Sequence, residues 1–154
     1  MSNNDLLVDL YDLDFSSIDI PITIKRVLSP NSDDVVEYIG KHFSPKWASE
    51  AKAALYKNHP TCFVAVDNKE IVGFACYDAT AKGFFGPLGV SDDYRKRGIG
   101  KALVMKCMEG LFYDGYGYAI IGGVSEKTQK FYYDACKAIP IVNSRKVYNR
   151  LIDR

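Results

Sequence analysis

The sequence has no apolar run approaching the ~20 residues that a membrane-spanning helix needs. Its first residues, Met1-Ser2-Asn3-Asn4-Asp5, lack the basic start of a secretory leader. It also lacks a charge excess. A net charge of +1 over 154 residues exerts no global pull toward nucleic acid or an anionic membrane, so neither is an expected partner and any basic patch is local. No C-x-x-C spacing occurs. Cys62, Cys76, Cys107 and Cys136 each fall inside an apolar segment, which reads as buried reduced thiols and favours a cytoplasmic setting over secretion. Repeats, linkers and low-complexity tracts are missing as well. What remains is ordinary globular composition, 47% hydrophobic and 25% charged, in a chain large enough to bury a core without staples.

Residues 1–19 carry five aspartates (Asp5, Asp9, Asp12, Asp14, Asp19) among Leu6, Val8, Leu10 and Leu13. They read as an N-terminal acidic arm packed on the domain surface or on a partner chain, with residues 20–154 forming a single domain. A strand is expected over 20–28, where Ile20, Ile22 and Ile24 alternate with other residues. Ser29-Pro30-Asn31-Ser32 breaks it, and Asn31 or Ser32 can cap the helix that follows. A second helix starts near Pro45 and ends at His59-Pro60. The runs 61–67 and 71–77 flank Asp67-Asn68-Lys69-Glu70, a hairpin signal. The strand over 83–90 is interrupted by Gly86-Pro87, and because proline cannot donate to a ladder, a bulge or a separation from a neighbour is expected there. A central helix over 98–113 buries Ile99, Leu103, Cys107 and Leu111. Then come a short strand over 118–121, a turn at Gly122-Gly123, a helix from Ser125 to about Lys137, and two closing strands over 138–142 and 146–152.

The stretch with the most chemistry is Leu88-Gly89-Val90-Ser91-Asp92-Asp93-Tyr94-Arg95-Lys96-Arg97-Gly98-Ile99-Gly100-Lys101. A helix that begins inside it presents unpaired N–H groups and the positive end of its dipole, which suits phosphate. Gly98 and Gly100 remove the Cβ atoms that would hold a pyrophosphate away, and Arg95, Lys96, Arg97 and Lys101 add positive charge. The spacing is not G-x-x-x-x-G-K-[ST], and Leu103 stands where G-x-G-x-x-G needs its third glycine.

R-x-x-G-x-G after Gly-Pro-Leu-Gly-Val resembles the signature of the GNAT N-acetyltransferase superfamily. The predicted element order over residues 20–152 is similar to that family's, and Ser125 to Cys136 resembles its helix with an aromatic–tyrosine pair. The resemblance implies an α/β (α+β) fold. In it a mixed, mostly antiparallel twisted sheet is splayed between its fourth and fifth strands and flanked by about four helices. It implies acetyl-coenzyme A as co-substrate and no metal. The coenzyme would be held by Leu88, Gly89, Val90, Arg95, Lys96, Arg97, Gly98, Ile99, Gly100, Lys101, Ser125 and Tyr132.

By the same resemblance the Leu88 backbone N–H supports the oxyanion, and Tyr132 protonates the departing thiolate. A phenol of pKa about 10 suits that task without ionising at neutral pH. Tyr133, next along the helix, is the competitor for this role. Asp78, at a strand end, leads the candidates for the base, ahead of Glu37, His42, Glu50 and Tyr77. Phe43, Trp47 and Phe84 are candidate acceptor-pocket aromatics, and Cys136 reads as a structural thiol.

The activity implied is direct transfer of an acetyl group to a primary amine of a small molecule or peptide. A coenzyme-binding sensor or scaffold without transfer is the alternative, and a homodimer through the closing strands or the acidic arm is compatible with the pattern.

Overall fold

In the computed structural model, which describes residues 3–144 and 146–152, the chain forms a seven-stranded sheet with helices on both faces. The hairpin of β3 (Cys62–Asp67) and β4 (Glu70–Tyr77) forms where Asn68 and Lys69 both take positive φ, 50° and 65°. That pair of conformations matches the twist of antiparallel strands. β2 (Thr23–Arg26) lies outside β3, and β5 (Phe84–Val90) continues the antiparallel run beyond β4. β6 (Tyr118–Val124) is parallel to β5, and the two pair only at Phe84↔Ile120 and Phe85↔Ile121. The sheet therefore splays where the resemblance placed it.

The stretch expected to be a surface arm is instead an inner strand. β1 (Asn4–Asp9) lies antiparallel to β6 with Leu6↔Ile121 and Val8↔Ala119 in register, and both side chains are fully buried. The acidic pattern misleads because two of the aspartates cap short 3-10 turns. Asp9 accepts from the Tyr11 N–H at 3.0 Å and Asp14 from the Ser16 N–H at 3.0 Å. Asp5 is only 4% exposed; its carboxylate accepts from the Gly123 N–H at 2.8 Å and the Ser144 hydroxyl at 2.9 Å.

The chain's other end also differs from expectation. β7 (Ile139–Pro140) has only two residues, and the second closing strand is replaced by a 3-10 helix over Lys146–Arg150. Gly122-Gly123 belongs to β6 rather than to a turn.

On one face, α3 (Ile99–Tyr113) buries Leu103, Cys107 and Leu111 against β3, β4, β5 and β6, and α4 (Glu126–Cys136) packs beside it. On the other face, α1 (Ser32–His42) and α2 (Pro45–Leu55) cover Val64 and Phe74. α2 starts as proline at a first turn predicts, with the Ser44 hydroxyl accepting from the Trp47 N–H at 3.1 Å. α1 is not capped by Ser32, whose hydroxyl instead donates to the Leu55 carbonyl at 2.9 Å. No helix among the described residues is long and apolar enough to cross a membrane.

Burial raises the pKa of several thiols and phenols of the core. Cys76 is pushed up by its hydrogen bond with Cys62 and by burial; Cys107 is pushed up by burial, as is Cys136, to about 12. Burial also raises Tyr77 to about 12 and raises Tyr132. Each folded value lies above its unfolded one, so the neutral groups stabilise the fold fully at neutral pH and that contribution is lost as pH rises. Chemical-denaturation midpoints are expected to be flat from about pH 7 to 8.5. They should then fall as unfolded thiols ionise near 9.0 and phenols near 10.0, by about 1.4 kcal/mol per pH unit for each such group. A stability that stays flat to pH 11 would contradict this burial.

Candidate functional site

The site begins at the edge that β6 leaves open. Ala75 pairs with Leu88 and Tyr77 with Phe85, so Cys76 faces both Gly86 and Pro87, the bulge expected from the proline. The Ser91 N–H donates to the Val72 carbonyl on β4 at 2.8 Å. By the two-residue alternation of a strand, the Gly89 N–H also faces β4, and the N–H groups of Leu88 and Val90 face the open edge. The β5–β6 pairing has already ended at Phe85 and Ile121. Two backbone donors therefore line a gap in the sheet.

Beside this edge lies the N-terminus of α3. Its cap position is Gly98 at φ +81°, a left-handed conformation, and Lys96 two residues earlier is also left-handed at +63°. The first intrahelical bond runs from the Ala102 N–H to the Gly98 carbonyl at 3.1 Å. No side chain caps the end, so the N–H groups of Ile99, Gly100 and Lys101 are without helical partners. A groove of about 580 Å³ joins these donors to Leu88, Gly89 and Val90, with Arg95, Lys96 and Lys101 along it and Phe43, Trp47 and Phe131 closing it.

Two of its glycines are crowded by rings. A Cβ on Gly89 would lie 2.6 Å from the Phe43 ring, and one on Gly100 would lie 3.2 Å from the Phe131 ring. Arg97 alone of the basic cluster turns aside. Its guanidinium lies 4.8 Å from the centroid of Tyr94, whose hydroxyl donates to Asp67 at 2.7 Å.

A second cavity, of about 630 Å³, adjoins the groove and shares Trp47, Leu88 and Phe131 with it. Tyr132 lines it, 9% exposed, with its ring edge-on to Phe85 at 6.0 Å and to Phe131 at 5.0 Å. Among the described residues its hydroxyl has no hydrogen-bond partner. Burial raises its pKa, with the Cys136 and Cys107 thiols and Tyr148 adding to the effect, so the phenol keeps its proton through the neutral range. Tyr133, the competitor, is 59% exposed and lines neither cavity. Cys136 is buried, its thiol donates to the Tyr132 carbonyl at 3.4 Å, and its raised pKa leaves it unreactive. Ser125 stands at the N-cap position of α4 on the lining of the second cavity; its hydroxyl makes no capping bond and instead shares a hydrogen bond with the Thr128 hydroxyl at 3.1 Å.

The candidate bases are scattered. Asp78 lines neither cavity. At φ +53° it closes the β4–β5 turn, its two carboxylate oxygens accepting from the Gly83 N–H at 2.7 Å and the Tyr116 hydroxyl at 3.2 Å. Glu37 and His42 line a separate cavity beside α1, and Tyr77 is sealed in the core, where its hydroxyl accepts from Arg26 at 2.9 Å. Glu50 is the one brought to the second cavity, where its carboxylate accepts from the Thr80 hydroxyl.

Phe84 lies beside Gly122 rather than on the cavity lining, while Phe43 and Trp47 do line the groove. Tyr148 is a residue the sequence reading missed. Its ring rests on β6, where a Cβ at Gly122 would lie 2.6 Å from the Tyr148 hydroxyl and 3.0 Å from its ring, and one at Gly123 2.9 Å from the ring. Paired glycines within an apolar strand were the available signal, since they mark close approach to a backbone.

The profile of the acetyltransferase (GNAT) family matches residues 30–135. No curated protein matches the chain. Among solved structures it is similar to the GCN5-related glucosamine N-acetyltransferase region of a fungal multi-domain GH3 β-N-acetylglucosaminidase, with TM-score 0.73 and 16% identity over 92% of this chain and 20% of that one. It is similar to a GCN5-related N-acetyltransferase from Kribbella flavida, with TM-score 0.65 and 17% identity over 91% of this chain and 55% of that one. A GNAT family acetyltransferase from Brucella melitensis in complex with acetyl-CoA gives TM-score 0.56 and 17% identity over 73% of this chain and 82% of that one. The chain thus spans a fifth and about half of the first two proteins, and at these identities the likeness is one of fold.

The contact of Gly89 with Phe43 makes a sharp steric prediction. Gly89→Ala should lower stability by about 1–3 kcal/mol in urea unfolding. Adding Phe43→Leu should recover part of that loss, because the shorter side chain vacates the ring position. A second change that gives no recovery would show that the glycine is needed for another reason.

Proposed function

The chain belongs to the acetyltransferase (GNAT) family, whose profile covers more than half of it, and on that premise we propose that it transfers the acetyl group of acetyl-coenzyme A directly to a primary amine. The observation that carries this reading is one continuous path. It runs from the uncapped N-terminus of α3, along the open edge of β5, to the Tyr132 hydroxyl.

The donors fit the co-substrate. The N–H groups of Ile99, Gly100 and Lys101, with Lys96 and Arg95 beside them, suit a pyrophosphate. The outward N–H groups of Leu88 and Val90 suit an amide-bearing pantetheine arm that adds to the sheet like a strand. The Leu88 N–H stabilises negative charge that develops on the thioester oxygen. Tyr132, kept protonated by burial, gives its proton to the sulfur as the carbon–sulfur bond breaks. Glu50 takes the base role in preference to Asp78, because it lines the cavity while both Asp78 oxygens are committed to a turn.

Thermal unfolding with excess acetyl-coenzyme A tests the reading. Ligand at about a hundred times its Kd adds about 2.7 kcal/mol, a rise in Tm of about 5–10 °C for a chain of this size. The Gly98→Glu, Gly100→Glu double variant should lose that rise. Tyr132→Phe should keep the rise and lose about 10²–10⁴-fold in amine-dependent thiol release. A rise without thiol release for any amine would favour a coenzyme sensor, and no rise in the parent chain would end both readings.

A further inference from the structure

The two cavities differ in charge. The groove over α3 carries Arg95, Lys96 and Lys101 and no carboxylate. The cavity around Tyr132 carries the Glu50 carboxylate, and no lysine, arginine or histidine lines it among the described residues. Directly behind its wall sits Asp5, which holds the Gly123 N–H at 2.8 Å and has no ion pair among the described residues. Trp47, Phe85, Phe131, Tyr132 and Tyr148 line the same cavity as Glu50. A carboxylate in a cavity lined by aromatic rings favours a cation over an anion beside it. The volume of about 630 Å³ lies within the range of small-molecule sites.

From this we infer that the acceptor is a small primary amine that enters as its ammonium and bears no carboxylate or phosphate close to the nitrogen. The α-amines of free amino acids and the amines of phosphorylated compounds are excluded. An anionic group next to the reacting nitrogen would face Glu50, with Asp5 behind the wall and no lysine, arginine or histidine lining the cavity among the described residues. The ammonium first pairs with Glu50 and passes one proton to that carboxylate. The freed amine lone pair then forms the carbon–nitrogen bond, the carbon–sulfur bond breaks, and the sulfur leaves with the proton from Tyr132. The second proton of the acylated nitrogen returns to the Tyr132 phenolate, and Glu50 releases its proton to solvent. Net, the acetyl group moves from sulfur to nitrogen and the coenzyme thiol is formed. The inference rests on the acetyl-transfer reading above.

Trp47 supplies the readout, since it is the only tryptophan and lines both cavities. The full chain, saturated with coenzyme A, is titrated with phenethylamine, phenylalanine and phenylalanine methyl ester, and separately with ethanolamine and phosphoethanolamine, while tryptophan emission is followed. Phenethylamine and the methyl ester are expected to bind at least tenfold more tightly than phenylalanine, and ethanolamine at least tenfold more tightly than its phosphate. The ester is the control for bulk, since it keeps the carboxyl group's size without its charge.

In Glu50→Gln the discrimination should shrink to within about threefold, with coenzyme A affinity unchanged. Equal or tighter binding of the acid or phosphate member overturns the inference, and so does failure of every amine to bind. Coenzyme A added alone separates the two levels. If it neither shifts Trp47 emission nor raises Tm, the transfer reading falls together with this one. If it binds and the pairs do not discriminate, only the acceptor inference falls.

Discussion

The architecture depends on backbone hydrogen bonds that are not made. β5 and β6 pair over two residues each and then part, which leaves the donors of Leu88 and Val90 on an interior edge. A strand edge normally needs a partner or a cover, because buried N–H groups without one are costly. Here the gap stays open on the side of the groove, and the uncapped end of α3 stands beside it with a second set of free donors. The rest of the sheet braces this gap. The β3–β4 hairpin fixes β5 from one side, and β1 holds β6 from the other.

Around that gap the protein separates its charges although its net charge is only +1. Arg95, Lys96 and Lys101 line the end that begins at α3, while Glu50 and the concealed Asp5 mark the other. Leu88, Trp47 and Phe131 lie where the two cavities meet. Composition averages over such a division, and a near-neutral total hides it.

The parts of the fold legible in the sequence were those governed by local rules. Asn68-Lys69 sets its hairpin, Pro45 and Ser44 set the start of α2, and Gly98 marks a helix start that needs a left-handed residue. The groove residues from Leu88 to Lys101 were legible for the same reason, being contiguous in the chain. Long-range placement was not. The run from Asn4 to Asp9 reads as an acidic surface segment until β6 supplies a partner for its alternate side chains. Asp78 and Glu50 are both plausible carboxylates on paper, and only the packing assigns one to a turn and the other to the cavity. Tyr148 became visible once Gly122 and Gly123 were seen to carry its ring.

Asp5 ties together segments from opposite ends of the described chain. Its contact with Ser144 bridges 139 positions, and its contact with Gly123 bridges 118. Contacts that distant close large loops, and the chain entropy lost in closing them is a cost that local pairing does not carry. The backbone donors of the groove come from β5 and the helix that follows it, joined by a short connection. The phosphate-suited donors thus belong to a locally connected unit, and the wall of the second cavity is fastened by a closure between remote segments.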